Sequence, residues 1–327
     1  MSFVDVSAVL KVLSAAALIG VWRNTFTVWD PTQSVALERL QLSKAPSMRI
    51  VQLSDLHADI NWRRGINERI LNNVFDQVAA EAPDLIVLTG DYVNKSEKAV
   101  VELESFMRRL VELVGAGRVI GTIGNHDAYG ERDSAFILAQ MRDYGVTMLV
   151  NETVVIEELN LAVVGLGDLK TGSFNAADGR KSLDAALAAL GTRADSVDVL
   201  VLSHNPDSAP IVNGLFPEAQ LMLSGHTHGG QICLPGVPLP PLWGRFVFAL
   251  LPRFVQRLLP SPHRVIQEWG RYSGLYEIAG ESFRQLPRSE GLEARAKAKN
   301  LLYINRGLGT HFPFRLFCSP EITVIDM

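Results

Sequence analysis

Histidine, aspartate and asparagine gather in short motifs along the chain: Asp55-Leu56-His57, Gly90-Asp91, Gly124-Asn125-His126-Asp127, Ser203-His204-Asn205-Pro206-Asp207 and Gly225-His226-Thr227-His228. Neutral imidazole, carboxylate and carboxamide oxygen are donors for borderline divalent cations, and no thiolate takes part. The motifs together make a ligand set for two divalent metal ions, with Mn, Fe, Zn and Co as candidates. Any one of them alone is weak, because Gly-Asp after a strand is often only a turn and a lone histidine is more often a satisfied side chain. Their succession, each behind a strand, is what points to a metal centre.

Apolar, β-branched runs precede the motifs at residues 49–53, 85–88, 119–123, 199–202 and 221–223. Such runs read as buried parallel strands, and in open α/β sheets ligands collect beyond the carboxyl ends of the strands. Apolar residues at helical spacing predict helices over 64–82, over 96–114 with Ser96 as N-cap, over 132–144 and over 182–190. Residues 153–156 and 161–164, with Asn160 between them, predict an antiparallel hairpin, and late strands at 275–278, 301–305 and 322–325 suggest a second sheet. The fold class is therefore α/β, with two packed mixed β-sheets flanked by helices.

The 327 residues, 47% hydrophobic and 20% charged, suffice for one large core with appendages. A net charge of −4 and a pI near 6.0 leave no electrostatic footprint for nucleic acid. Two cysteines, Cys233 and Cys318, exclude a disulfide-rich scaffold and read as buried thiols, a single bridge being the alternative. Residues 12–22 are uncharged between Lys11 and Arg23, a stretch shorter than the roughly 20 residues of a membrane span. It reads either as a membrane anchor or as an amphipathic helix packed on the domain. Residues 1–44 are accordingly set apart as an apolar segment and lead-in, and 45–327 as the main domain.

The motif order resembles the calcineurin-like metallophosphoesterase superfamily, whose pattern runs Asp-x-His, Gly-Asp, Gly-Asn-His-Asp/Glu, His, Gly-His-x-His. Through His204-Asn205-Pro206-Asp207, the Gly225–Gln231 run, Arg306-Gly307-Leu308-Gly309 and Pro320-Glu321-Ile322, residues 45–327 are similar to its bacterial membrane-associated, YkuE/YaeI-like branch of phosphohydrolases. The resemblance implies the metallophosphoesterase four-layer sandwich. It implies that Asp55, His57 and His228 hold one metal, that Asn125, His204 and His226 hold the other, and that Asp91 bridges them. It also implies that a metal-bridging hydroxide attacks phosphorus. His126 is assigned to transition-state stabilisation or leaving-group protonation, with Asp127 fixing its tautomer, and the alternative is support of Asn125. Asp207 is read as orienting His204 in the same way or as capping its turn. Arg306, His311 and Arg315 are candidate phosphate contacts, against a reading as surface charges.

Against the same branch, residues 241–270 look like an insertion, in which Trp243, Phe246, Phe248 and Phe254 alternate with Arg245, Arg253 and Arg257. The insertion is expected to add core, to dock on an anionic bilayer, or to cover the metals as a lid for acyl chains. The expected substrate is a phosphoester, and the sharper expectation is a lipid-linked or nucleotide-sugar lipid, by resemblance to UDP-2,3-diacylglucosamine hydrolases of the superfamily. A protein phosphatase and a catalytically silent scaffold are the alternatives, although scaffolds tend to lose ligands and every ligand position is kept here. The resemblance places the protein at a bacterial inner membrane, on its cytoplasmic or exported side.

Overall fold

The apolar runs become strands whose successive side chains face opposite ways, so each sheet offers one face to its partner sheet and one to helices. A computed structural model describes residues 35–60, 66–128, 134–231, 233–234, 237–238, 270–279, 282–287, 300–310, 315 and 318–327. The apolar segment at 12–22, the insertion up to residue 269 and His311 lie outside the described residues.

The first half of the chain supplies β1 (Ala36–Gln41), β2 (Arg49–Leu53), β3 (Leu85–Leu88), β4 (Val119–Gly121) and β5 (Thr147–Met148). Next come β6 (Glu152–Ile156), β7 (Leu161–Gly165), β8 (Asp198–Leu202), β9 (Ala219–Ser224) and a small pair, β10 (Cys233–Leu234) and β11 (Val237–Pro238). The last strands are β12 (Gly274–Ala279), β13 (Ser282–Leu286), β14 (Leu301–Ile304) and β15 (Glu321–Asp326). One sheet has the order β1-β15-β2-β3-β4-β5 and the other β13-β12-β14-β9-β8-β7-β6. Both are mixed: β2, β3, β4 and β5 run parallel, as do β7, β8, β9 and β14, while β15 is antiparallel to β2 and β6 to β7.

Alternation sorts the core into three seams. Ile50, Leu85, Val87 and Ile120 of the first sheet meet Leu161, Leu200, Leu202 and Leu223 of the second. Val51, Ile86 and Leu88 face away, against Val74 and Val78 of α1 (Glu68–Glu81) and Met107 and Leu110 of α2 (Glu104–Val114). Two further helices on this side of the chain are α3 (Asn125–Ala128) and α4 (Ser134–Asp143). Val199, Val201 and Met222 pack outward on Leu183 of α5 (Ala176–Leu190) and Val212 of α6 (Ala209–Leu215). The result is a helix–sheet–sheet–helix sandwich. Each buried leucine in it contributes roughly 1.5–3 kcal/mol.

Three expectations shift. Residues 322–325 join the first sheet, between β1 and β2, and not the second. β1 falls within the stretch drawn as lead-in, so the sheet begins at Ala36, before residue 45; its sequence Ala-Leu-Glu-Arg-Leu-Gln favours helix, and pairing with β15 overrides that propensity. The expected helix over 96–114 is a 3₁₀ turn, Glu97–Leu103, leading into α2, with the Ser96 hydroxyl capping Lys98 N–H as anticipated. Among the described residues no helix is long and apolar enough to cross a membrane.

Candidate metal centre

The motifs meet because β2, β3 and β4 of one sheet and β8 and β9 of the other end at the same rim. Backbone hydrogen bonds carry the strand ladder past the strand ends: Asp55 N–H donates to Gly90 O (2.9 Å), His57 N–H to Asp91 O (3.0 Å) and Gly225 N–H to His204 O (3.0 Å). The chain then turns sharply. Asp55, His57, Asp91, His226 and His228 all have positive φ, between 49° and 71°, a region that side chains other than glycine seldom occupy. Such strain persists only where surrounding bonds over-determine it, and it clusters at functional sites. Two glycines make room: a Cβ on Gly124 would collide with the Asp91 carboxylate, and one on Gly225 with the side chains of Ser54 and Asp55.

Three overlapping groups of donors lie close enough to hold a metal: Asp55, His57 and His228; Asp91, His204 and His226; and His57, Asp91 and His126. Metal–ligand bonds of about 2.0–2.2 Å place neighbouring donors about 2.8–3.6 Å apart. His57 Nε2 lies 3.0 Å from His228 Nε2, and His228 Nε2 lies 3.5 Å from Asp55 Oδ1. His204 Nε2 is 3.1 Å from His226 Nδ1 and 3.2 Å from Asp91 Oδ2. The same Asp91 oxygen is 3.6 Å from His57 Nε2. Imidazole nitrogens this close need a proton or a cation between them. Asn125 is also buried, and its carboxamide oxygen has no hydrogen-bond partner among the described residues. The donor set therefore fits divalent metal.

Electrostatics agree. Burial alone would raise the pKa of Asp55 and Asp91, but the surrounding imidazoles, His228 and His57 for Asp55 and His204 and His126 for Asp91, hold both below the usual carboxylate range. Burial opposes charge on His204, yet Asp91, Asp55 and Asp168 outweigh it and push its pKa up to about 10. A field that holds a proton this firmly also attracts a cation. Near pH 7.5 metal uptake must displace the His204 proton, so apparent affinity is expected to rise about tenfold per pH unit on approach to that value. In metal-free protein the bound proton stabilises the fold fully below the unfolded value of about 6.5, and this contribution is lost as pH rises towards 10. Calorimetric metal titrations in buffers of different ionisation enthalpy should report at least one proton released; identical heats in all buffers would refute this.

The supporting contacts differ from expectation in several places. Asp127 does not orient His126. Its two oxygens accept backbone N–H groups from Asp91 (2.9 Å), Tyr92 (2.8 Å), Val93 (3.3 Å) and Gly124 (2.8 Å), so it fastens the loop of Asp91 to that of Asn125. Burial and Asp91 push its carboxyl up to about 7, against these donors. The orienting group is the Asn94 carbonyl, 2.8 Å from His126 Nδ1. A carbonyl only accepts, so Nδ1 carries a proton and Nε2 is the nitrogen left to take up or release one. For His204 that part is played by the Thr89 carbonyl, 2.7 Å from Nδ1, while Asp207 faces Arg271 at 3.7 Å.

Arg306 and Arg315, the candidate phosphate contacts, are both engaged by groups of the protein itself. Arg306 pairs with Glu38 and Glu321, each at 2.7 Å. Arg315, 3% exposed, donates to the carbonyls of Arg306 (2.8 Å), Gly307 (3.1 Å) and Gly309, and touches His228 Nδ1 at 3.1 Å. It ties the C-terminal loop to His228, one of the candidate metal donors. Cys318 is a buried thiol that donates to the His228 carbonyl at 3.2 Å. A relay that went unread braces Asp55: Gln52 donates to Thr89 (3.1 Å), Thr89 to Ser54 (2.7 Å) and Ser54 to Asp55 Oδ2 (2.6 Å). Its signal was Gln52 and Ser54 interrupting an apolar run.

A calcineurin-like phosphoesterase family model matches residues 48–230, more than half of the chain. Phosphodiesterase YaeI of Escherichia coli is 27% identical over 86% of this chain and 83% of its own length. UDP-2,3-diacylglucosamine pyrophosphatase LpxG of Chlamydia muridarum is 23% identical, covering 96% of this chain and 94% of its own. The uncharacterised metallophosphoesterase YkuE of Bacillus subtilis is 27% identical over 85% of this chain and 78% of its own. With the metal-donor geometry of the two strand-end clusters, these similarities establish that the chain belongs to the calcineurin-like phosphoesterases and is a metal-dependent phosphoric ester hydrolase.

Proposed function

We propose that the protein is a dinuclear phosphohydrolase acting on a lipid-linked or nucleotide-sugar lipid substrate at a bacterial inner membrane. Asp55, His57 and His228 hold one divalent ion, and Asn125, His204 and His226 the other. Asp91 is shared between them. The observation that carries this reading is the single oxygen Asp91 Oδ2 at 3.2 Å from His204 Nε2 and 3.6 Å from His57 Nε2. A shared carboxylate offsets the repulsion between two dications. When bound, the ions, drawn from Mn, Fe, Zn and Co, would make hydroxide available near neutrality for attack on phosphorus and neutralise charge on the phosphoryl oxygens.

The chain's own residues do the rest. His126, its ring set by Asn94, presents Nε2 towards the cluster of His57 and Asp91 and manages the leaving-group proton. Asp91 Oδ1 accepts the His126 backbone N–H at 2.7 Å, which couples the positions of the bridge and the acid. The lipid reading draws on the nearly full-length similarity to a pyrophosphatase named for a diacylglucosamine nucleotide, and on the aromatic and basic composition of residues 241–270.

The test is a metal-loaded activity panel comparing p-nitrophenyl phosphate, bis(p-nitrophenyl) phosphate, a phosphopeptide and UDP-2,3-diacylglucosamine in mixed micelles. The lipid diphosphate is expected to be the preferred substrate. Deleting residues 241–270 should weaken vesicle binding and lipid hydrolysis while sparing the small diester, because every ligand lies outside the deletion. Preference for the phosphopeptide, or equal loss on both substrates with a collapse in thermal stability, would contradict the lipid reading.

A further inference from the structure

Arg271, just ahead of β12, is only 9% exposed. A guanidinium carries five N–H donors, and burying them without acceptors is costly. Among the described residues none of the Arg271 donors has a hydrogen-bond acceptor: Nε is unpartnered, and the carboxylate facing Nη2, Asp207 Oδ1, stands off at 3.7 Å. The guanidinium instead lies 3.8 Å over the Phe283 ring, which fixes its plane and leaves its edge unused. Arg315 shows the contrast, since its guanidinium donates to the carbonyls of Arg306, Gly307 and Gly309.

The position of Arg271 relates it to the metal centre. The carbonyl of its neighbour Tyr272 accepts the hydroxyl of Thr227, the residue between ligands His226 and His228. Asp207, the carboxylate it faces, follows ligand His204 by three residues. The loop after β7 carries a further cation, Lys170, whose charged form burial disfavours and Asp168, Asp207 and Asp91 favour. Asp168 holds that loop by accepting the N–H groups of Lys170 (2.8 Å) and Thr171 (3.0 Å).

We propose that Arg271 forms an anion subsite next to the metal centre that takes the second phosphoryl group of a diphosphate substrate. This rests on the phosphohydrolase reading above and deepens it. A planar guanidinium fork matches two phosphoryl oxygens, and one held flat on an aromatic ring loses little freedom when they arrive. Asp207 is too far for a hydrogen bond but near enough to keep the charge in place when no substrate is bound.

Metal-loaded wild type, Arg271→Ala and Arg271→Lys should be compared on bis(p-nitrophenyl) phosphate, with one phosphoryl group, and UDP-N-acetylglucosamine, with two. Loss of charge-assisted hydrogen bonds predicts a fall of about ten- to hundredfold in kcat/KM for the diphosphate, mostly in KM, in Arg271→Ala, with the single-phosphoryl ester little changed. Arg271→Lys, which keeps charge and packing but not the fork, should fall between; it decides the matter if the alanine variant does not fold. Calorimetric titration with methylenediphosphonate and methylphosphonate reads binding without turnover. Wild type should prefer the diphosphonate and the variants should lose that preference. Equal effects on both substrates, or an unchanged diphosphonate preference, would overturn the subsite. A wild type that hydrolyses neither ester would instead refute the phosphohydrolase reading, with the phosphonate titration still deciding the subsite.

Discussion

Asp91→Asn is expected to slow phosphoester hydrolysis by roughly a thousandfold or more, the largest effect of any single substitution in the protein. One Asp91 oxygen accepts the His126 backbone N–H at 2.7 Å, and the other faces His204 at 3.2 Å and His57 at 3.6 Å. An amide of the same shape removes a charge from between the two donor clusters. It also sets an NH2 group either against the His126 N–H or into the space between the imidazoles. Turnover of bis(p-nitrophenyl) phosphate in metal-replete protein, with metal content measured by elemental analysis, checks this. Wild-type turnover by Asp91→Asn would end the shared-carboxylate account.

The second large effect is kinetic. His126→Ala should lower turnover by roughly 10²–10⁴-fold, the usual worth of a positioned acid–base group, while both ions are retained. The ring is half-buried, its Nδ1 proton is held by Asn94, and its face-to-edge contact with His57 (centroids 4.7 Å apart) sets it beside the cluster. If Nε2 delivers a proton to the departing oxygen, the defect should shrink for a p-nitrophenolate leaving group and widen for an alkoxide. His126 also belongs to a donor group with His57 and Asp91. Loss of an ion from His126→Ala, with a defect independent of the leaving group, would make it a ligand and not an acid.

The donors were legible in the sequence because each sits directly behind a buried strand, where a few residues fix both local turn and direction. His57, His204 and His228 come together from two sheets, yet each could be placed by its own strand end. The supporting contacts were harder, because their partners are backbone groups that no motif advertises. Asp127 next to His126 looks like a carboxylate–histidine pair; its four N–H partners appear only once β3 and β4 lie side by side. Arg306 resembled a phosphate ligand because its partners, Glu38 and Glu321, are distant in sequence and one lies on β1. β1 itself was obscured by helix-favouring residues, and β15 by its return to the first sheet after a chain end that otherwise builds the second. The hairpin of β6 and β7, in contrast, was local: Asn160 takes the left-handed conformation its turn requires.

The central claim is that two ions share Asp91. Anomalous diffraction from crystals grown with Mn or Zn tests it most directly. Two peaks about 3.5–4 Å apart are predicted, one beside Asp55, His57 and His228 and the other beside Asn125, His204 and His226, with the Asp91 carboxylate touching both. A single peak at full occupancy, or two peaks of which only one meets Asp91, would contradict it.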